Sequence, residues 1–160
     1  MTTAFPPPVQ SALRGSQQPF WFLGGRVRLL VSGAATTGTV SVLEFSDTRG
    51  QAPPLHVHDR EDEIWSVVDG SITFVVGDDV FDLGPGEVAL GPRGTAHSYV
   101  VRSATARMLV TYAPSGVEEW FVTNSSPLEE DDDTPAPFDV AAIVSAGLRF
   151  GVHVVGPPPA

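Results

Sequence analysis

The chain has 160 residues and a formal charge of −10, from nine arginines against nineteen carboxylates, and it contains neither cysteine nor lysine. Disulfides, thiolate chemistry and Schiff-base catalysis are therefore excluded, and the acidic balance argues against a nucleic-acid partner, whose phosphates select for basic proteins. A domain of this length buries roughly 70% of its unfolded surface, so it needs no metal in order to fold, and any metal it holds is expected to serve function.

Fourteen aromatic residues, sixteen glycines and fifteen prolines favour many short strands joined by frequent turns. The start, MTTAFPPPVQ, has neither the basic onset nor the apolar run of a secretory leader, and no stretch of about eighteen apolar residues occurs; a soluble cytoplasmic protein is expected. Residues 1–19 read as a loosely held arm rich in Pro, Ser and Gln. From Phe20 to Val31, aromatic and branched residues flank a glycine pair, which suggests a strand with a bulge or bend. Thr39 to Ser46 follows as a strand, with a loop from Asp47 to Ala52.

Pro53 and Pro54 keep the chain extended into Leu55–His58. A strand is predicted over Glu63–Val68, and Asp69-Gly70 is a two-residue hairpin signal into Ser71–Val76. Short strands at Val80–Leu83, Glu87–Leu90, Ala96–Arg102 and Ala106–Tyr112 complete a series that suggests a sandwich or barrel of antiparallel pairs. Gly116–Val122 can form a helical turn, and Phe138–Ala146 has apolar residues at helical spacing before Gly147 ends it. Between them lies the run Glu129 to Asp133, read as a solvated loop, and Leu148–Val155 reads as a last strand.

Chemistry concentrates in Gly50–Gly70, GQAPPLHVHDREDEIWSVVDG. On a strand, residues two apart share a face, so His56 and His58 project together. Glu63 lies far enough on for the chain to reverse and return a carboxylate, and His97 can come from a neighbouring strand. Three imidazoles and a carboxylate suit a divalent transition metal, with Fe, Ni, Mn, Co, Cu and Zn all admissible. The other reading makes His56 and His58 solvated loop residues and His97 a satisfied core histidine. Glu61 and Asp62 read as exposed loop charges.

The glycine and proline spacing resembles that of the cupins. Gly50, His56, His58, Glu63 and Gly70 match the first motif of that family, and Gly86, Pro92, Gly94 and His97 match the second; Val101 stands where the family often has Asn. The resemblance implies a mainly β fold, a double-stranded β-helix or jelly-roll barrel over residues 20–122. It also implies a metal held by His56, His58, Glu63 and His97. The sequence pattern adds an acidic, Pro-flanked loop over 123–137 and a C-terminal helix and strand over 138–160, expected to pack on the barrel. A narrower resemblance, in FWFLGGRVRLL, GVEEWF and LRFGVHVVGPP, is to small single-cupin proteins of actinobacteria similar to quercetin 2,3-dioxygenase. It implies dioxygenation of a flavonol-like or polyketide enol, with Glu63 as both ligand and catalytic base. A non-redox isomerase or cyclase, or a ligand-binding module without turnover, uses the same residues. Trp65 shares a face with Glu63 and Tyr99 with His97, so both are expected to look inward, against a small-molecule substrate or as core filling. Pairing of an exposed outer strand edge would make a homodimer.

Overall fold

The computed structural model describes residues 18–128, 134–135 and 137–160; most of the N-terminal arm and the acidic run at 129–133 lie outside them. In chain order the strands are β1 (Phe20–Phe22), β2 (Gly25–Val31), β3 (Ser41–Thr48), β4 (Leu55–His58), β5 (Asp62–Asp69), β6 (Ile72–Val76), β7 (Asp79–Leu83), β8 (Val88–Gly91), β9 (His97–Val101) and β10 (Thr105–Ala113). Helix α1 (Glu118–Thr123), the two-residue β11 (Ser126–Pro127), helix α2 (Val140–Gly147) and β12 (Val152–Gly156) follow. Among the described residues no helix is long and apolar enough to cross a membrane.

The strands form two antiparallel sheets. One has seven strands in the order β11-β1-β2-β3-β10-β5-β8, and the other has five in the order β12-β4-β9-β6-β7. The expected closed jelly-roll barrel is not what forms: among the described residues no strand ladder joins the two sheets, and neither sheet closes on itself. The fold is mainly β, as expected, but open, with two facing layers whose inner sides bury the core.

The reason lies in the connections. From β3 to β6 each strand lies in the opposite sheet from the one before it, so a short turn often carries the chain across the core instead of back along the same sheet. Asp69-Gly70 is such a crossing and not the hairpin its sequence suggests, because β5 pairs with β10 and β8 while β6 pairs with β7 and β9. Gly70 has φ +85°, and a Cβ there would lie 2.5 Å from the Thr105 carbonyl oxygen, so the crossing needs both the left-handed backbone and the missing side chain. The Leu23-Gly24 step departs from expectation in the other sense. Both residues have positive φ, and the chain reverses fully into a β1–β2 hairpin instead of bending.

Alternation sets the inner faces. Ser41, Leu43, Phe45 and Asp47 of β3 are buried, as are Glu63, Trp65 and Val67 of β5. Burying each large apolar side chain contributes about 1.5–3 kcal/mol. The C-terminal segment closes one end. Asp139 caps α2 by accepting from the Ala142 amide at 3.1 Å, Ile143 and Gly147 face Trp120, and β12 pairs with β4.

Candidate metal centre

His56 and His58 lie on one face of β4, and His97 opens β9, where it pairs in register with His56. Glu63 comes from β5 in the facing sheet, so three imidazoles of one layer meet one carboxylate of the other. One nitrogen or oxygen from each of the four lies within 4.8 Å of all the others. His58, Glu63 and His97 are buried and His56 is half-buried. The four residues expected to act together are brought together.

The protonation of two imidazoles follows from their partners. His56 Nδ1 is 2.8 Å from the Pro54 carbonyl and His97 Nδ1 is 2.9 Å from the Thr95 carbonyl. A carbonyl oxygen only accepts, so each Nδ1 carries the hydrogen and each Nε2 presents a bare lone pair to the cluster. His97 Nε2 is then 3.0 Å, and His58 Nε2 3.4 Å, from Glu63 Oε2. The His97 lone pair aimed at a carboxylate oxygen requires a positive charge between them, either a proton or a metal ion.

Electrostatics separates the members. Burial, aided by the neighbouring His97, lowers His56 to about 3, so this imidazole stays neutral and available as a ligand at physiological pH. Burial alone would raise the Glu63 carboxyl; a proton on His97 Nε2, which then donates across the 3.0 Å contact, together with the charges of His58 and His56, brings it down to about 2, and such a proton is the positive charge the cluster calls for when no ion is bound. Its other oxygen, Oε1, accepts from Trp65 Nε1–H at 2.8 Å and Tyr112 O–H at 3.1 Å. A neutral imidazole, an ionised carboxylate held by two donors and converging lone pairs fit a divalent transition metal.

The cluster is reached from a cavity of about 400 Å³ to which His56 and Glu63 contribute. Phe22, Phe45, Met108 and Phe121 wall it, and Val140 and Val144 of α2 border it. Tyr99 lines it and donates its hydroxyl to Asp47 Oδ2 at 2.8 Å. Trp65 is not among the lining residues; it is 1% exposed and stands behind Glu63 as a hydrogen-bond donor.

Two buried carboxylates close to the cluster and its cavity lie outside the expectations from sequence. Asp47, taken as the start of a loop, is the inward residue after Ser41, Leu43 and Phe45, and extending that alternation by one step would have found it. Burial raises it to about 6, with the Tyr99 hydrogen bond pulling the other way. Glu61, expected among solvated charges, has 0% exposure. Its neighbour Asp62 is at the surface, chelated by Arg93, whose Nε and Nη2 lie 3.0 and 2.8 Å from its two oxygens.

Residues 45–112 match the family model described as Cupin domain. Quercetin 2,3-dioxygenase of Bacillus subtilis (strain 168) is 31% identical over 105 residues, covering 65% of this chain and 31% of that protein, so the chain spans about a third of this relative's length. Among solved structures, KdgF from Halomonas sp. superposes with a TM-score of 0.57 at 20% identity, over 62% of this chain and 89% of that one. An RmlC-like cupin from Shewanella frigidimarina NCIMB 400 gives 0.54 at 18% identity, over 62% and 86%. At such identities these structures speak for the fold alone.

Proposed function

We infer that this chain, a member of the cupin superfamily through residues 45–112, is a metal-dependent enzyme and that it oxygenates a planar enol of flavonol type. The observation that carries the reading is the convergence of His58 and His97 Nε2 on Glu63 Oε2 beside a cavity with an apolar wall. Its volume falls in the range of roughly 300–1,000 Å³ usual for small-molecule sites. The likeness to a quercetin 2,3-dioxygenase supports the choice of substrate class.

His56, His58, Glu63 and His97 would hold the ion. A divalent metal bound there would supply positive charge that acidifies an enol and, if redox-active, a route for dioxygen to react. Trp65 and Tyr112 fix the plane of Glu63 through Oε1, leaving Oε2 as the atom at which it takes the enol proton. Phe22, Phe45 and Phe121 exclude water and stack on a planar body. Tyr99, held by Asp47, presents its ring edge and phenol oxygen to the far side of the substrate.

The test is elemental analysis of the purified protein, followed by oxygen uptake and carbon monoxide release with quercetin. Stoichiometric metal, lost in His56→Ala, with oxygen consumption and carbon monoxide release is the expected result. A metal-loaded protein that consumes no oxygen across a panel of flavonols and polyketide enols would sink the oxygenase assignment.

A further inference from the structure

Buried side-chain atoms without a hydrogen-bond partner are few among the described residues, and three of them face one another: both carboxylate oxygens of Glu61 and Nδ1 of His58. Glu61 has 0% and His58 1% exposure, so bulk solvent reaches neither. Glu61 Oε2 is 3.6 Å from His58 Nδ1, and its Oε1 is 3.9 Å from Nε of Arg60, an exposed side chain. A carboxylate held out of water with no donor in contact is among the costliest arrangements a fold can keep.

The other two imidazoles indicate what Glu61 is for. His56 and His97 each give their Nδ1 hydrogen to the carbonyl two residues earlier, Pro54 and Thr95. His58 makes no such bond, and its Nδ1 faces a carboxylate oxygen at 3.6 Å. We propose that Glu61 is the positioning residue of the metal centre: it accepts the Nδ1 hydrogen of His58, fixes the tautomer that bares Nε2, and makes that nitrogen a stronger donor to the ion. The inference rests on the metal-binding reading above. A small rotation of either side chain takes the 3.6 Å gap to hydrogen-bond length, about 2.7–3.2 Å.

The test uses the full chain with Zn2+ or Co2+ alone as probe, in competition with a chromophoric chelator. Glu61→Ala is expected to weaken Zn2+ binding roughly 10–100-fold, as loss of an outer-shell acceptor does, and to change the Co2+ ligand-field spectrum. Glu61→Gln, which keeps an oxygen acceptor without the charge, is expected to recover part of the affinity. Unchanged affinity and spectrum in a folded Glu61→Ala protein that has merely lost thermal stability would overturn the inference. The same weakening in Arg60→Ala would also overturn it, by making Arg60 the partner that matters. Should the Glu61 variants fail to fold, long-range 1H–15N imidazole spectra of the Zn2+-loaded wild type decide: His58 with its hydrogen on Nδ1 supports the assignment, and the opposite tautomer refutes it. A wild-type chain that binds neither ion overturns the metal reading itself and this inference with it, a result distinct from normal wild-type binding that is insensitive to Glu61.

Discussion

Replacing Gly91 by alanine would set a methyl group against the Trp65 indole. Gly91 pairs with Glu63 across β8 and β5, and a Cβ built on it collides with Trp65 Cη2, lies 2.9 Å from Cζ3 and comes within 3.3 Å of His97 Nδ1. The indole has no room to retreat, being 1% exposed and backed by the rings of Phe74 and His97 at 5.2 Å each. Overpacking of this kind costs about 1–3 kcal/mol. Shifting the indole also strains its 2.8 Å bond to Glu63 Oε1, and a hydrogen bond to a charged group is worth about 1.5–3 kcal/mol, part of which Tyr112 at 3.1 Å would retain. The expected loss is about 2–4 kcal/mol, or roughly 5–15 °C in Tm for a chain of this size. Thermal denaturation followed by circular dichroism measures it, and Zn2+ titration of the same variant should show weaker binding because Glu63 and His97 flank the displaced ring. A Tm within about 2 °C of wild type, together with unchanged Zn2+ affinity, would refute the claim that Trp65 transmits packing to the cluster.

Two further predictions concern protons. Asp47 has its folded pKa raised from 3.8 to about 6, so the unfolded chain gives up this proton first and stability falls as pH rises from about 4 to 6, remaining lower above that. Asp47→Asn, which can still accept the Tyr99 hydroxyl, is therefore expected to be more stable than wild type at pH 8 by up to about 3 kcal/mol, with the gain shrinking toward pH 4; urea titrations giving a less stable Asn variant at pH 8 would contradict this. His56 is shifted the other way, from 6.5 down to about 3. The unfolded chain takes up a proton below about pH 6.5 that folded His56 refuses, so the metal-free protein loses stability as pH falls through that window. His56→Asn should flatten the profile, and parallel wild-type and variant curves between pH 7 and 4 would count against it.

Much of the site was legible in the sequence because its signal is local. Strand geometry alone aims His56 and His58 the same way, and the helix over Phe138–Ala146 forms within two residues of its pattern, with Asp139 as its cap. What could not be read is non-local. Period-two alternation tells which face of a strand is buried but not which sheet the strand joins, so Asp69-Gly70 reads as a hairpin, and the series of short strands leaves sandwich and barrel open; the closed barrel comes from the family resemblance, and two open sheets form instead. Glu61 was misread for a different reason. In DREDE the neighbours are charged, and solvation is the ordinary fate of such a run, yet Asp59 and Arg60 are exposed while Glu61 between them and Asp62 is fully buried. Composition averages over the run, whereas burial is decided residue by residue by the direction of each side chain.

The cavity border divides along the chain in a way that bears on how such a protein changes its substrate. The residues that would carry the chemistry all fall within 45–112, where the family model matches, but Phe22, Leu23, Phe138, Val140 and Val144 lie outside it, on the segments that precede and follow. The metal-binding residues thus lie in the middle of the chain, while part of the pocket's border is supplied by the segments on either side. Exchange of those flanking segments would recut one side of the pocket while leaving the His-rich centre untouched.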